Sequence, residues 1–146
     1  MGPISSSLIL LAMLLAQAAS NAISGPSYAD VLANPSNQRE RTISWVGKQV
    51  RVSTDLRNGE RIVTSYTYTL VDARGGILLN QPFSVDGDAE FSPAAIAARG
   101  DSKDSGIRRI SGRFKGLIEV VVYVEGKPKT MTAPRIEKAT IDVPAR

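Results

Sequence analysis

From Val46 to Val85 apolar and polar side chains alternate, and the alternation breaks only at short glycine-containing turns. A period of two sets every second side chain on one face, which is a strand pattern. Val46, Lys48, Val50, Val52, Thr54 and Leu56 share one face of a first strand expected over about 45–56, with Arg51 and Asp55 on the other. Asn58-Gly59 suits the two positive φ angles of a two-residue hairpin turn, and Ile62, Thr64, Tyr66, Tyr68 and Leu70 alternate through a second strand. Asp72-Ala73-Arg74-Gly75-Gly76 turns the chain again, into Ile77, Leu79, Gln81, Phe83 and Val85. Three strands thus form a meander.

Two helices are legible from their ends. Ser27 can cap a short helix over Tyr28 to Ala33, with Asp30 completing the first turn and Asn34-Pro35 stopping it. Ser92-Pro93 opens a second, Ala94 to Arg99, which Gly100 ends. Beyond a polar loop, Ile107 to Phe114 and Leu117 to Val124 are strand-like, with Lys115-Gly116 reading as a bulge or bend between them. Glu125-Gly126-Lys127-Pro128 makes another turn, and a last strand is expected within Lys129–Val143, interrupted near Pro134.

Three strands, a short helix and at least two further strands in about 100 residues is the element order of the OB-fold, a five-stranded Greek-key barrel. Local residues agree with it. Gly47-Lys48-Gln49-Val50-Arg51-Val52 resembles the first-strand entry of OB domains, and Tyr68 to Ile77 resembles their second hairpin. Ile110-Ser111-Gly112-Arg113-Phe114-Lys115-Gly116 resembles the start of their fourth strand. The lead-in Tyr28 to Pro35 is similar to that of exported bacterial proteins with a single OB domain, so the resemblance spans residues 28–142. It implies a mainly β, OB-like Greek-key barrel over residues 45–143, preceded by a lead-in with a short helix over 23–44, and with one short helix between the third and fourth barrel strands. An immunoglobulin-like β-sandwich is the alternative, because short strands with regular turns give a similar alternation. The long stretch from Asp86 to Gly106, with a capped helix inside it, favours the barrel.

Nucleic-acid-binding OB domains stack bases on aromatic side chains of strands two and three, for which Tyr66, Tyr68 and Phe83 are the candidates. Each shares its strand face with aliphatic residues, so core packing is the expected role. The predicted core comprises Val50, Val52, Tyr68, Leu70, Ile77, Leu79, Val120 and Val122.

The first 22 residues contain no charged side chain. Leu8 to Leu15 is an unbroken apolar run, and Ala16-Gln17-Ala18 follows with the small-x-small pattern of a signal peptidase site. The apolar stretch reaches Ala19 with only Gln17 interrupting it, about 12 residues, too short to span a bilayer, which takes about 20. Residues 1–22 therefore read as a signal segment, with no permanent membrane span and an extracytoplasmic location, periplasmic or secreted.

The 146 residues include neither cysteine nor histidine. That excludes disulfides, thiol nucleophiles, imidazole general bases and most zinc or copper sites. No nucleotide-binding or serine-nucleophile motif occurs, so no catalytic residue and no cofactor is expected. Asp86, Asp88 and Glu90 alternate in a loop, but their spacing is not that of a calcium loop, and they read as a solvated acidic turn ahead of a helix.

The remaining signal is basic. The formal net charge is +4, and residues 108–138 hold eight of the basic side chains against three acidic ones. Arg108, Arg109, Arg113, Lys115, Lys127 and Lys129 are the candidate polyanion-binding residues, if the last strands bring them to one face. Solubilising, edge-protecting charges would look the same. The expected function is that of a non-catalytic binding module for a protein or anionic polymer. The alternatives are a structural role in the envelope, comparable to that of small outer-membrane lipoproteins but without their acylated cysteine, and nucleic-acid binding, which an export signal disfavours. N-terminal sequencing of protein recovered outside the cytoplasm is expected to find a start near Ala19; an intact Met1 or Gly2 on a cytosolic chain would refute export.

Overall fold

The computed structural model describes residues 25–145, so the signal segment over 1–22 lies outside the described residues. Strands dominate, and they close into a five-stranded mixed barrel with one extra strand. In chain order the elements are α1 (Tyr28–Ala33), α2 (Pro35–Gln38), β1 (Thr42–Arg57), β2 (Glu60–Val71), β3 (Ile77–Asp86), β4 (Glu90–Phe91), α3 (Pro93–Arg99), β5 (Ile107–Val124) and β6 (Lys127–Asp142). Antiparallel pairs join β1 to β2, β2 to β3, β1 to β5 and β5 to β6, and a parallel pair joins β3 to β6 and closes the ring. This is an OB-like Greek-key barrel, with α3 between the third and fourth strands of the ring. The short β4, which the sequence pattern did not reveal, pairs parallel with β6 beside the ring.

The local chemistry acts where the spacing places it. The Ser27 hydroxyl accepts the Asp30 amide at 3.1 Å while the Asp30 carboxylate accepts the Ser27 amide at 3.0 Å, a reciprocal cap on α1. The Ser92 hydroxyl accepts the Ala95 amide at 3.0 Å, and Pro93 begins α3. Asn58 and Gly59 have φ of 51° and 80°, as the tight turn requires, and Glu125 and Gly126 repeat the geometry at 52° and 77°. Lys115 is an extra residue between Phe114, opposite Ile136, and Gly116, opposite Arg135. The expected break at Lys115-Gly116 is thus a bulge inside one long strand. Pro134 does not interrupt β6: it sits opposite Leu117, one residue before the parallel ladder with β3 begins at Arg135.

Inside the barrel an aromatic column runs from the lead-in to the α3 end. Tyr28 meets Trp45 edge-on at 5.5 Å between centroids, Trp45 meets Phe83 edge-on at 5.3 Å, and Phe83 stacks on Tyr68 at 5.8 Å. Ile43, Val85, Ile110, Phe114, Ile136 and Ile141 fill the space around it and are fully buried. The lead-in is part of this packing: Val31 is fully buried, Tyr28 donates its hydroxyl to the Pro82 carbonyl at 2.7 Å, and the Trp45 indole donates to the Pro26 carbonyl at 3.1 Å. Gly47 lets β1 approach this column, because a Cβ there would lie 2.5 Å from the Thr69 carbonyl oxygen and 3.2 Å from the Phe83 ring.

Tyr68, Val120 and Val122 are buried as the alternation predicts, and Leu70 packs at the margin of the core. Val50, Val52, Ile77 and Leu79 are not in the core; each is between 37% and 41% exposed. Two irregularities explain it. Val50 is an extra residue between Gln49, opposite Tyr68, and Arg51, opposite Thr67, and Val52, opposite Tyr66, lies past the end of the β1–β5 ladder at Lys48, where the β1–β2 hairpin leaves the barrel. On β3 only Ile77 pairs with β2, opposite Val71, before the ladder resumes at Pro82, opposite Thr69, so the start of the strand is held loosely against the sheet. Phe83→Ala is therefore expected to cost about 3–5 kcal/mol of unfolding free energy, and Leu79→Ala or Val50→Ala under about 1 kcal/mol. Urea unfolding of the three variants measures the contrast.

Candidate cationic pocket at the α3 end of the barrel

The six basic residues singled out by sequence do not come to one patch. Arg108 points inward and is 6% exposed; its guanidinium donates to both Asp104 carboxylate oxygens, at 2.9 and 2.6 Å, and to its own neighbour's carbonyl, that of Ile107, at 2.9 Å. Arg113 and Lys115 lie between Glu40 and Glu137, with nitrogen-to-carboxylate separations of 3.5 and 4.0 Å for Arg113 and with Lys115 hydrogen-bonded to Glu40. Arg109 is exposed and donates to the Ser44 hydroxyl at 3.2 Å. Lys127 and Lys129 stand at the tip of the β5–β6 hairpin, opposite Val124 and Val122. Nine strand residues, roughly 30 Å, separate Val122 from Arg113.

A different set of cations converges. Where β1 parts from β5, Lys48, Gln49, Tyr68, Phe91, Arg99, Gly106 and Arg108 line a pocket of about 200 Å³. Each wall has a local cause. The β1–β5 ladder ends at Lys48 opposite Ile107, and the positive φ of Gly106, 78°, turns the chain away there; a Cβ on Gly106 would lie 3.2 Å from Lys48 Cε, so the lysine stem runs along the glycine. Arg99 ends α3 with its guanidinium carbon 3.9 Å from the Phe91 ring centre, and Phe91 is set by pairing with Ile141 and by an edge contact with Tyr66 at 5.5 Å. Tyr68 forms the floor as the last ring of the aromatic column.

Electrostatically the pocket is an excess of positive charge over an uncharged donor. Asp104 neutralises Arg108, while Lys48 and Arg99 make no ion pair among the described residues. Burial pushes the Tyr68 phenol up to about 12 against the opposing pull of Arg108 and Arg99, so it stays protonated at neutral pH. Its hydroxyl has no hydrogen-bond partner among the described residues and is not sealed from solvent; the one fully buried side-chain polar atom without a partner among them is Thr69 Oγ1. Such an arrangement can receive an oxyanion from above.

The acidic loop serves the fold. Asp86 grips Arg135 with two contacts of 3.0 and 2.8 Å, and Asp88 accepts the Lys138 amide at 3.2 Å. Thr67, Thr69 and Ser84, which alternate with the aromatic residues on the β2–β3 ladder, are themselves buried; Tyr68 and Phe83 face the core, and Tyr66 packs against Phe91. Among the described residues no helix is long and apolar enough to cross a membrane. The chain matches no known protein-family model, and no curated protein is similar to it.

Arg108 and the Gly106 amide hold the Asp104 carboxyl down at about 2, from an ordinary 3.8. Between these values the unfolded chain binds more protons than the folded one, so the stabilisation from Asp104 is present above about pH 4 and lost as pH falls through about 2. Asp104→Asn removes that component. In thermal melts the gap between wild type and Asp104→Asn is expected to narrow as the pH is lowered from about 5 to about 2.

Proposed function

We propose that this barrel is an exported, OB-like, non-catalytic module that binds an anionic partner, an acidic polymer or an acidic segment of a protein, at the pocket of Lys48, Arg99 and Arg108. The observation that carries the reading is the convergence of Lys48, Arg99 and the protonated Tyr68 hydroxyl on one pocket, with neither Lys48 nor Arg99 in an ion pair among the described residues. Arg99 rests on the Phe91 ring and the Lys48 stem runs along Gly106, so both cations stand beside the pocket before an anion arrives. At about 200 Å³ the pocket takes one charged group, so the rest of the partner would run over the adjoining surface. A phenol held protonated and a chain with no histidine or cysteine offer binding rather than proton transfer at neutral pH. The inward turn of the β2–β3 aromatic residues argues against base stacking, so nucleic acid is not the favoured polymer.

Titration with an acidic polysaccharide and with a single-stranded oligonucleotide across ionic strengths tests the reading. Affinity is expected to fall steeply with salt, and Lys48→Ala with Arg99→Ala to flatten the log–log slope by about 1–2, as two lost counterion-releasing contacts require. Arg113→Ala with Lys115→Ala is expected to leave the slope nearly unchanged, because Glu40 and Glu137 already neutralise that pair. Absence of binding to either polymer at low ionic strength would overturn the proposal.

A further inference from the structure

Beyond Lys48 the β1–β2 hairpin stands clear of the barrel. β1 pairs with β5 only from Thr42 to Lys48, yet continues to Arg57, so from Gln49 onward one whole edge of the strand has no neighbour. Past the bulge at Val50, β1 itself is regular; the second irregularity of the hairpin, at Thr64, falls on β2. The same stretch concentrates exposed apolar side chains: Val50 is 37% exposed, Val52 39% and Leu56 65%. An open, regular edge beside apolar side chains is a template for strand addition.

The residues along this edge are complementary to their own reverse. Ser53 stands midway between Gln49 and Arg57, and two copies paired antiparallel about Ser53 match residue 51 with 55, 52 with 54, and 50 with 56. Arg51 then meets the partner's Asp55, and Asp55 meets the partner's Arg51, while Val50 meets the partner's Leu56. The faces agree as well. Arg51 and Ser53 pair across β2 with Thr67 and Ser65, on the outward side, and Asp55 lies two residues further along the same side; Val52 pairs with Tyr66, on the inward side. Opposite charges therefore meet on one face of the joined ribbon and apolar groups on the other. Within the chain Asp55 accepts the Leu56 amide at 2.9 Å through one oxygen and has a loose, solvent-exposed contact with Arg57 at 3.5 Å through the other, and Arg51 makes no ion pair among the described residues, so Arg51 is free and Asp55 holds only exposed local contacts.

We propose that a second copy of this chain docks on the free edge of β1, antiparallel and centred on Ser53, to form a two-fold dimer through a continuous four-stranded ribbon. The symmetry is closed, because the same edge is used by both copies and each is consumed by the other. Register is specified by the two Arg51–Asp55 pairs: a shift by one residue would set apolar groups against charges on each face. This goes beyond binding of an anion, which needs no second copy.

Charge exchange tests the contact and its register together. Arg51→Asp leaves acid at 51 and 55, and Asp55→Arg leaves base at both, so each variant alone sets like charges opposite each other. Mixed together they restore both opposite-charge pairs. Light scattering during size-exclusion chromatography of the expressed chain is expected to give twice the monomer mass for wild type. Each variant alone is expected to shift toward monomer by at least tenfold in dissociation constant, and the equimolar mixture to return to the dimer mass. Circular dichroism checks that the variants retain the strand signal, which exposed positions on a protruding ribbon should not disturb. A monomeric wild type at about 0.5 mM, variants that dimerise as well as wild type, or a mixture that stays monomeric while both variants are folded would each overturn the proposal.

Discussion

The closing seam between β3 and β6 is the constraint on which the barrel depends. It is only two residue pairs long, Ser84 with Arg135 and Val85 with Ile136, and the chain has no disulfide to reinforce it. Two other contacts make it sufficient. Phe83, Val85 and Ile136 are fully buried directly behind the seam, so opening it would expose the centre of the core to water. Across its outer side Arg135 clasps Asp86 with a planar, two-contact geometry that fixes orientation as well as distance. With the seam shut, α3 and β4 have a surface to lie against, and the pocket between Lys48, Arg99 and Arg108 acquires its walls.

Much of this was legible in the sequence because it is local. Turns at Asn58-Gly59 and Asp72 to Gly76, caps at Ser27 and Ser92, and the bulge at Lys115-Gly116 each need only a few neighbouring residues to declare themselves. Faces were less legible where an extra residue intervened. Neither the extra residue at Val50 nor the end of the β1–β5 ladder at Lys48 disturbs the alternation, so Val50 and Val52 read as core, although they decorate a free ribbon. Ile77 and Leu79 misled for a related reason: their alternation is intact, but the β2–β3 ladder lapses between Ile77 and Pro82.

The site was harder to read because it is assembled from four elements distant in sequence. Arg108 was a candidate, but as a member of a basic stretch whose other members are neutralised by Glu40 and Glu137, lie at the far end of a hairpin or, for Arg109, bond to the Ser44 hydroxyl. Lys48 carried a signal of its own: a lysine within the apolar face of β1, immediately after a glycine, is out of place unless it reaches something. Arg99 carried a weaker one, since a cation at the end of a helix is the ordinary complement of the helix dipole. Nothing local says that Tyr68 ends the aromatic column beneath them, because that follows from barrel closure.

The aromatic column also dictates an order of assembly. Trp45, Tyr68 and Phe83 belong to the meander of β1 to β3, whose pairings are between successive strands and can form as soon as residues 42–86 are present. The ring cannot close without β6, the last of the described strands, so a chain that emerges N-terminus first carries a curved sheet with an uncovered aromatic face until β6 arrives. Such a chain is slow to complete, as folds governed by distant strand pairs are, and throughout that wait it presents the same surface that a chaperone holding unfolded proteins would recognise.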